Sequence, residues 1–208
     1  MSARQDRIAT GPASHRQLNM RRLEQVVLIV TFLAFCWLGF QAVHELGHVV
    51  GAWLTGGRVT KVVLHPCVIS RTDVEPNPHP LFVVWAGPLV GAILPLVAFL
   101  AAGWLRAPGG YLFRFYAGAC LVANGCYIGL GWMDRVGDAG VMLAHGSERW
   151  MCILFALATV PLGLFLWHRQ GRYFGLGPSG GAVNRSAVVV SAVLLHVIVI
   201  LELVFGSP

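Results

Sequence analysis

From about Val26 to Leu54 the chain is an almost unbroken apolar run. As a helix it would extend about 43 Å, more than the roughly 30 Å hydrocarbon core of a bilayer. Tilt, or projection from one membrane face, accommodates the excess. The run is too long for a signal-peptide core and has no small-residue cleavage site ahead of its polar residues, so it is expected to be retained. Further apolar spans follow at about Leu81–Leu105, Tyr111–Met133, Met151–Trp167 and Ala187–Phe205. Charged residues make up 12% of the 208-residue chain and hydrophobic ones 56%. An ordinary soluble domain carries about 25% charged residues. The expected fold is therefore an all-α polytopic membrane protein of about five transmembrane helices, integral to the lipid bilayer.

Between the first two spans the pattern changes. Gly56-Gly57 closes the first helix, and Arg58–Pro80 combines the β-prone Val59, Val62, Val63, Leu64, Val68 and Ile69 with helix-breaking Pro66, Pro76, Pro78 and Pro80. A short β-hairpin-like loop is expected there. Residues 1–22 read as a flexible basic N-terminal tail and 23–208 as a single transmembrane domain, with little length left for a separate recognition module. The formal charge of +6 rests largely on arginine, and Arg4, Arg7, Arg16, Arg21 and Arg22 precede the first span. They have no aromatic interleaving, so a juxtamembrane anchor fits and nucleic-acid binding does not. The five cysteines form no CxxC, and four lie in apolar stretches. They are expected to pack, not to pair.

The first span carries His44-Glu45-Leu46-Gly47-His48, an H-E-x-x-H pattern. Residues four apart share a helix face, so both imidazoles can grip one metal while Glu45 lies beside a metal-bound water. Three ionisable groups in a membrane helix are costly, and a bound cation compensates. Gln41, His44, His48, Gly51, Ala52 and Thr55 form one polar or small face, which should point into the bundle. Catalytic zinc takes three protein ligands, so one more is required. The third span leaves the membrane on the same side as the first, and there Asp134 and Asp138 stand among five glycines. Small neighbours favour Asp138, with Asp134 as the alternative.

The pattern resembles the site-2-protease family of intramembrane zinc metalloproteases, peptidase family M50, and most of all its compact bacterial M50B-like members. The resemblance rests on His44–His48, on Ala52-Trp-Leu-Thr-Gly-Gly-Arg-Val-Thr-Lys-Val-Val-Leu-His65, on Ala86-Gly-Pro-Leu-Val-Gly91 and on Asp138-Ala-Gly-Val-Met-Leu143. It covers about residues 24–145. It implies Zn2+ held by His44, His48 and Asp138, with Glu45 catalytic and Asn124 as a substrate-binding group. It also implies regulated cleavage of a transmembrane protein substrate, a possible regulatory membrane partner, and a multi-pass place in the bacterial cell (inner) membrane. Gly91 stands where the family often has asparagine, and the usual prolines near the aspartate are missing. A proteolytically inactive member that binds transmembrane partners is the main rival, and a zinc or proton transporter using His196 and Glu202 is another. Alternating spans put ten Lys+Arg on the tail's side and five on the other, so the positive-inside rule places the N-terminus in the cytoplasm. That sets the His-Glu-His region toward the outer half, whereas the resemblance implies a site nearer the cytoplasm.

Overall fold

Helix α1 runs from Pro12 to Leu54, 43 residues without a break. The computed structural model describes residues 12–177 and 181–205. Of the expected tail, residues 1–11 lie outside that range, but 12–22 are helical, a departure from the flexible segment expected there. Gln17, Leu18, Met20, Arg21 and Arg22 are good helix formers, and extending a helix already nucleated by the apolar run costs little. The helix stops where Gly56 takes a positive φ and the Gly57 N–H returns to the Ala52 carbonyl at 2.8 Å.

Strands β1 (Val59–Val63) and β2 (Arg71–Val74) then form an antiparallel hairpin, paired Val62 to Thr72 and Val63 to Arg71. The hairpin is where the sequence placed it, but its second strand is not the Val68-Ile69 segment. Because pairing begins at Val63–Arg71, residues 64–70 with Pro66 make the connection, and Ile69 is 86% exposed.

Helices α2 (Pro80–Trp104), α3 (Gly110–Asp134), α4 (Gly137–Ala144), α5 (Arg149–Trp167) and α6 (Arg185–Phe205) complete the chain, with a 3-10 turn at Gly171–Phe174 before α6. Among the described residues, four segments are long and apolar enough to cross a membrane: Arg16–Leu54 of α1, α2, α5 and α6. The chain is thus an integral membrane protein by composition and fold. Helix α3 has the same 25 residues as α2 and is less apolar. It packs against α1, α2, α4 and α5, and its buried side includes Ala117, Gly118, Asn124 and Gly125. A helix enclosed by its neighbours has less need of lipid-compatible side chains.

Small residues let these helices touch through their backbones. A Cβ on Gly47 of α1 would stand 2.7 Å from the Gly87 Cα of α2, and one on Gly163 of α5 would stand 2.7 Å from the Gly118 carbonyl oxygen of α3. Nearer the start of α1, Phe32 packs against Phe115 and Phe174, while the Gln25 amide donates to the carbonyls of Phe174 and Gly175, each at 3.0 Å. Helix α6 runs parallel to α1, tied by Arg185 to Glu24 at 2.8 Å and by Ser191 to Thr31 at 2.8 Å.

The α1–α2 seam should tolerate no added methyl. Gly47→Ala is expected to destabilise the detergent-solubilised protein by about 1–3 kcal/mol in thermal unfolding. Gly103→Ala, where a Cβ meets nothing within 4 Å, should be neutral or stabilising by up to about 1 kcal/mol.

Candidate functional site

The polar groups of α1 are buried despite the apolar setting: Gln41, His44, Glu45 and His48 are all 7% exposed or less. Each has a partner from a different element. His48 Nδ1–H donates to the Val83 carbonyl of α2 at 2.9 Å. His44 Nδ1–H donates to Asn124 Oδ1 of α3 at 2.7 Å, and Asn124 Nδ2 donates in turn to the Cys120 carbonyl at 2.9 Å, which sets the amide's orientation. With both Nδ1 atoms protonated, the neutral imidazoles present Nε2 lone pairs. Those two nitrogens lie 3.1 Å apart.

Asp138 closes the group. Arg135 and Gly137 both take positive φ, 54° and 55°, and turn the chain sharply from α3 into α4, so Asp138 falls in the first turn of α4. Its backbone N–H donates to the Tyr127 hydroxyl at 3.2 Å. Its Oδ2 stands 2.7 Å from His44 Nε2 and 3.2 Å from His48 Nε2.

Three lone-pair atoms therefore converge, with few protons to share among them. Their separations approach the edge of a tetrahedron around zinc, about 3.3 Å for bonds of roughly 2.0 Å. His44, His48 and Asp138 form a group able to hold a metal ion, all ligand atoms lying within 4.8 Å of one another. The donor set, two imidazoles and a carboxylate, suits zinc and leaves room in the coordination shell for water.

Of the residues singled out from sequence, His44, His48 and Asp138 come together, and Glu45 is buried with its Oε2 bonded to Thr72. Asp134 does not: it is exposed at the end of α3. Asn124 is fully buried with both amide groups engaged, so it stands behind His44 and not on an open face. His145 is exposed, its Nδ1–H given to its own helix at the Val141 carbonyl. His196 is likewise bonded within α6, to Ala192. Glu202 is buried in α6, and its Oε2 has no partner among the described residues. Sequence reasoning missed Val83, Tyr127 and Thr72, whose hydroxyl donates to Glu45 Oε2 at 2.7 Å. In α2, a Cβ on Gly87 would collide with the His48 ring, and one on Gly91 would lie 2.7 Å from Asn124 Nδ2. The two glycines also house these side chains.

Fold and site together define a polytopic membrane protein in which two buried histidines and a half-buried aspartate form a group that could hold a metal ion. Residues 26–128 match the family model described as Peptidase M50B-like, and this match supports a site-2-protease-like M50 family assignment. The matched segment includes His44, Glu45, His48 and Asn124 and ends before Asp138. No curated protein and no solved structure matches the chain.

Two substitutions separate the candidate carboxylates. Asp138→Ala should abolish stoichiometric zinc binding, and Asp134→Ala should leave it unchanged, as read by metal analysis of the purified protein. Asn124→Ala, by freeing the His44 ring, is expected to weaken zinc about 10- to 100-fold in a competition titration.

Proposed function

We propose that the chain is an intramembrane zinc metalloendopeptidase that hydrolyses a peptide bond in or near a transmembrane segment of another membrane protein. The observation that carries this reading is the meeting of His44 and His48 from α1 with Asp138 from α4, while Glu45 stands next to the first histidine. Zinc held by these three residues supplies Lewis acidity, lowering the pKa of a water and polarising the scissile carbonyl. Glu45 acts as general base and then general acid: it takes the proton of the attacking water and delivers it to the leaving amine nitrogen. Asn124 and Val83 keep the two imidazoles in the tautomer that offers Nε2.

A transmembrane substrate is helical, and its amides must be exposed before cleavage. Among the described residues the sheet has two strands, and a substrate segment drawn out as a further strand would present its backbone beside the site. Such a substrate is a single-span or multi-span protein of the same bilayer, in this reading the bacterial inner membrane. A membrane partner that delivers or withholds it would supply the regulation.

Glu45→Gln should retain zinc and lose at least about 100-fold in cleavage. The measurement uses purified protein in liposomes with a panel of fluorogenic single-span reporter helices carrying helix-breaking residues. Undiminished cleavage by the Gln variant would sink the proposed mechanism.

A further inference from the structure

Helix α1 and the start of strand β2 meet along a shared repeat. Gln41 and Glu45 are four residues apart on α1, a rise of about 6 Å. Ser70, the last residue before β2, and Thr72 within it are two residues apart, about 6.7 Å in extended chain. The two spacings nearly coincide, and each level closes a hydrogen bond. The Ser70 backbone N–H donates to Gln41 Oε1 at 3.2 Å, and the Thr72 hydroxyl donates to Glu45 Oε2 at 2.7 Å. Thr72 is fixed from its other side by pairing with Val62 of β1. The hairpin is thus fastened to the helix that carries the histidines, one bond per helical turn.

The bond at Thr72 has more than a packing role. Glu45 is 3% exposed, and a carboxylate side chain with three rotatable torsions needs a donor to hold it in one orientation. The Thr72 hydroxyl is that donor for Oε2. We infer that Thr72 is a positioning residue for Glu45, held in place by the Ser70–Gln41 bond one turn away. This inference rests on the proposed protease reading for its kinetic consequence and on the Thr72–Glu45 geometry alone for its structural one. It also ties the base to the hairpin: a displacement of β2 is a displacement of the group that orients Glu45.

The test compares Thr72→Val, which keeps the shape and removes the hydroxyl, with Thr72→Ser, which keeps the hydroxyl; Thr72→Ala is a second hydroxyl-free variant. In zinc-loaded liposomes with the same reporter helices, Thr72→Val and Thr72→Ala should lower kcat on the order of tenfold to a hundredfold. KM and zinc content should stay within about twofold of wild type, and Thr72→Ser should recover most of the rate. Independently of activity, amide hydrogen exchange over residues 70–74 of the metal-free protein should quicken several-fold in the two hydroxyl-free variants and not in Thr72→Ser. Wild-type kcat in Thr72→Val, a Ser variant as slow as Val, loss of zinc along with rate, or unchanged exchange would each overturn the inference. A zinc-bound wild type that cleaves no reporter counts against the protease reading instead, and the exchange measurement then decides the role of Thr72 by itself.

Discussion

The close approach of α1 and α2 is the constraint on which the site depends. Without side chains at Gly47 and Gly87, two backbones meet where larger residues would hold them apart. In lipid, where burying apolar surface against another helix gains little over burying it against acyl chains, such contact is a main source of helix association. Here it has a second effect. The same approach brings the Val83 carbonyl to His48 and gives the imidazole the space a Cβ at Gly87 would fill, while Gly91, one turn on, makes the corresponding space for Asn124. One face of α2 thus serves as a mould for a ligand from α1 and its orienting partner from α3.

What could be read in advance follows the range of the forces involved. His44, Glu45 and His48 were legible because four-residue spacing on a helix is a local fact. Asp138 was reachable by counting membrane crossings, and its glycine-rich surroundings favoured it over Asp134. Val83, Asn124 as the partner of His44, and Thr72 were not legible in those roles: they are 35, 80 and 27 residues away from the groups they bond. Val83 contributes only a backbone carbonyl, which no side-chain pattern marks. The bounds of the second strand were not legible for a related reason. Its sequence, RTDV, is less β-prone than Val68-Ile69, and it is held by cross-strand pairing and by contacts to α1 instead of by its own propensity. Helix α3 was recognised as a span by length, but its composition reflects enclosure by other helices, which the sequence does not display.

Charge accounting explains why the centre can lie at membrane depth. Glu45 is buried and Asp138 half-buried, so two carboxyl groups stand beside two imidazoles where water has little access. A divalent cation held there would offset carboxylate charge, which a low dielectric penalises. The hydrogen bonds with Asn124, Val83, Thr72 and Tyr127 settle direction more than charge. Each ties a polar group of the site to a different part of the chain, so the site's geometry is as rigid as the packing of the helices around it.

The turn that carries Asp138 into place has a consequence for the order of assembly. The carboxylate is synthesised 90 residues after His48, when both α2 and α3 have already been made. Two imidazoles therefore wait in the nascent chain, and only the last short reversal at Arg135–Gly137 converts them into a three-ligand pocket. Tight capture of a metal by this group would then be a property of the finished bundle alone, since the three side chains meet only once the preceding helices are in place.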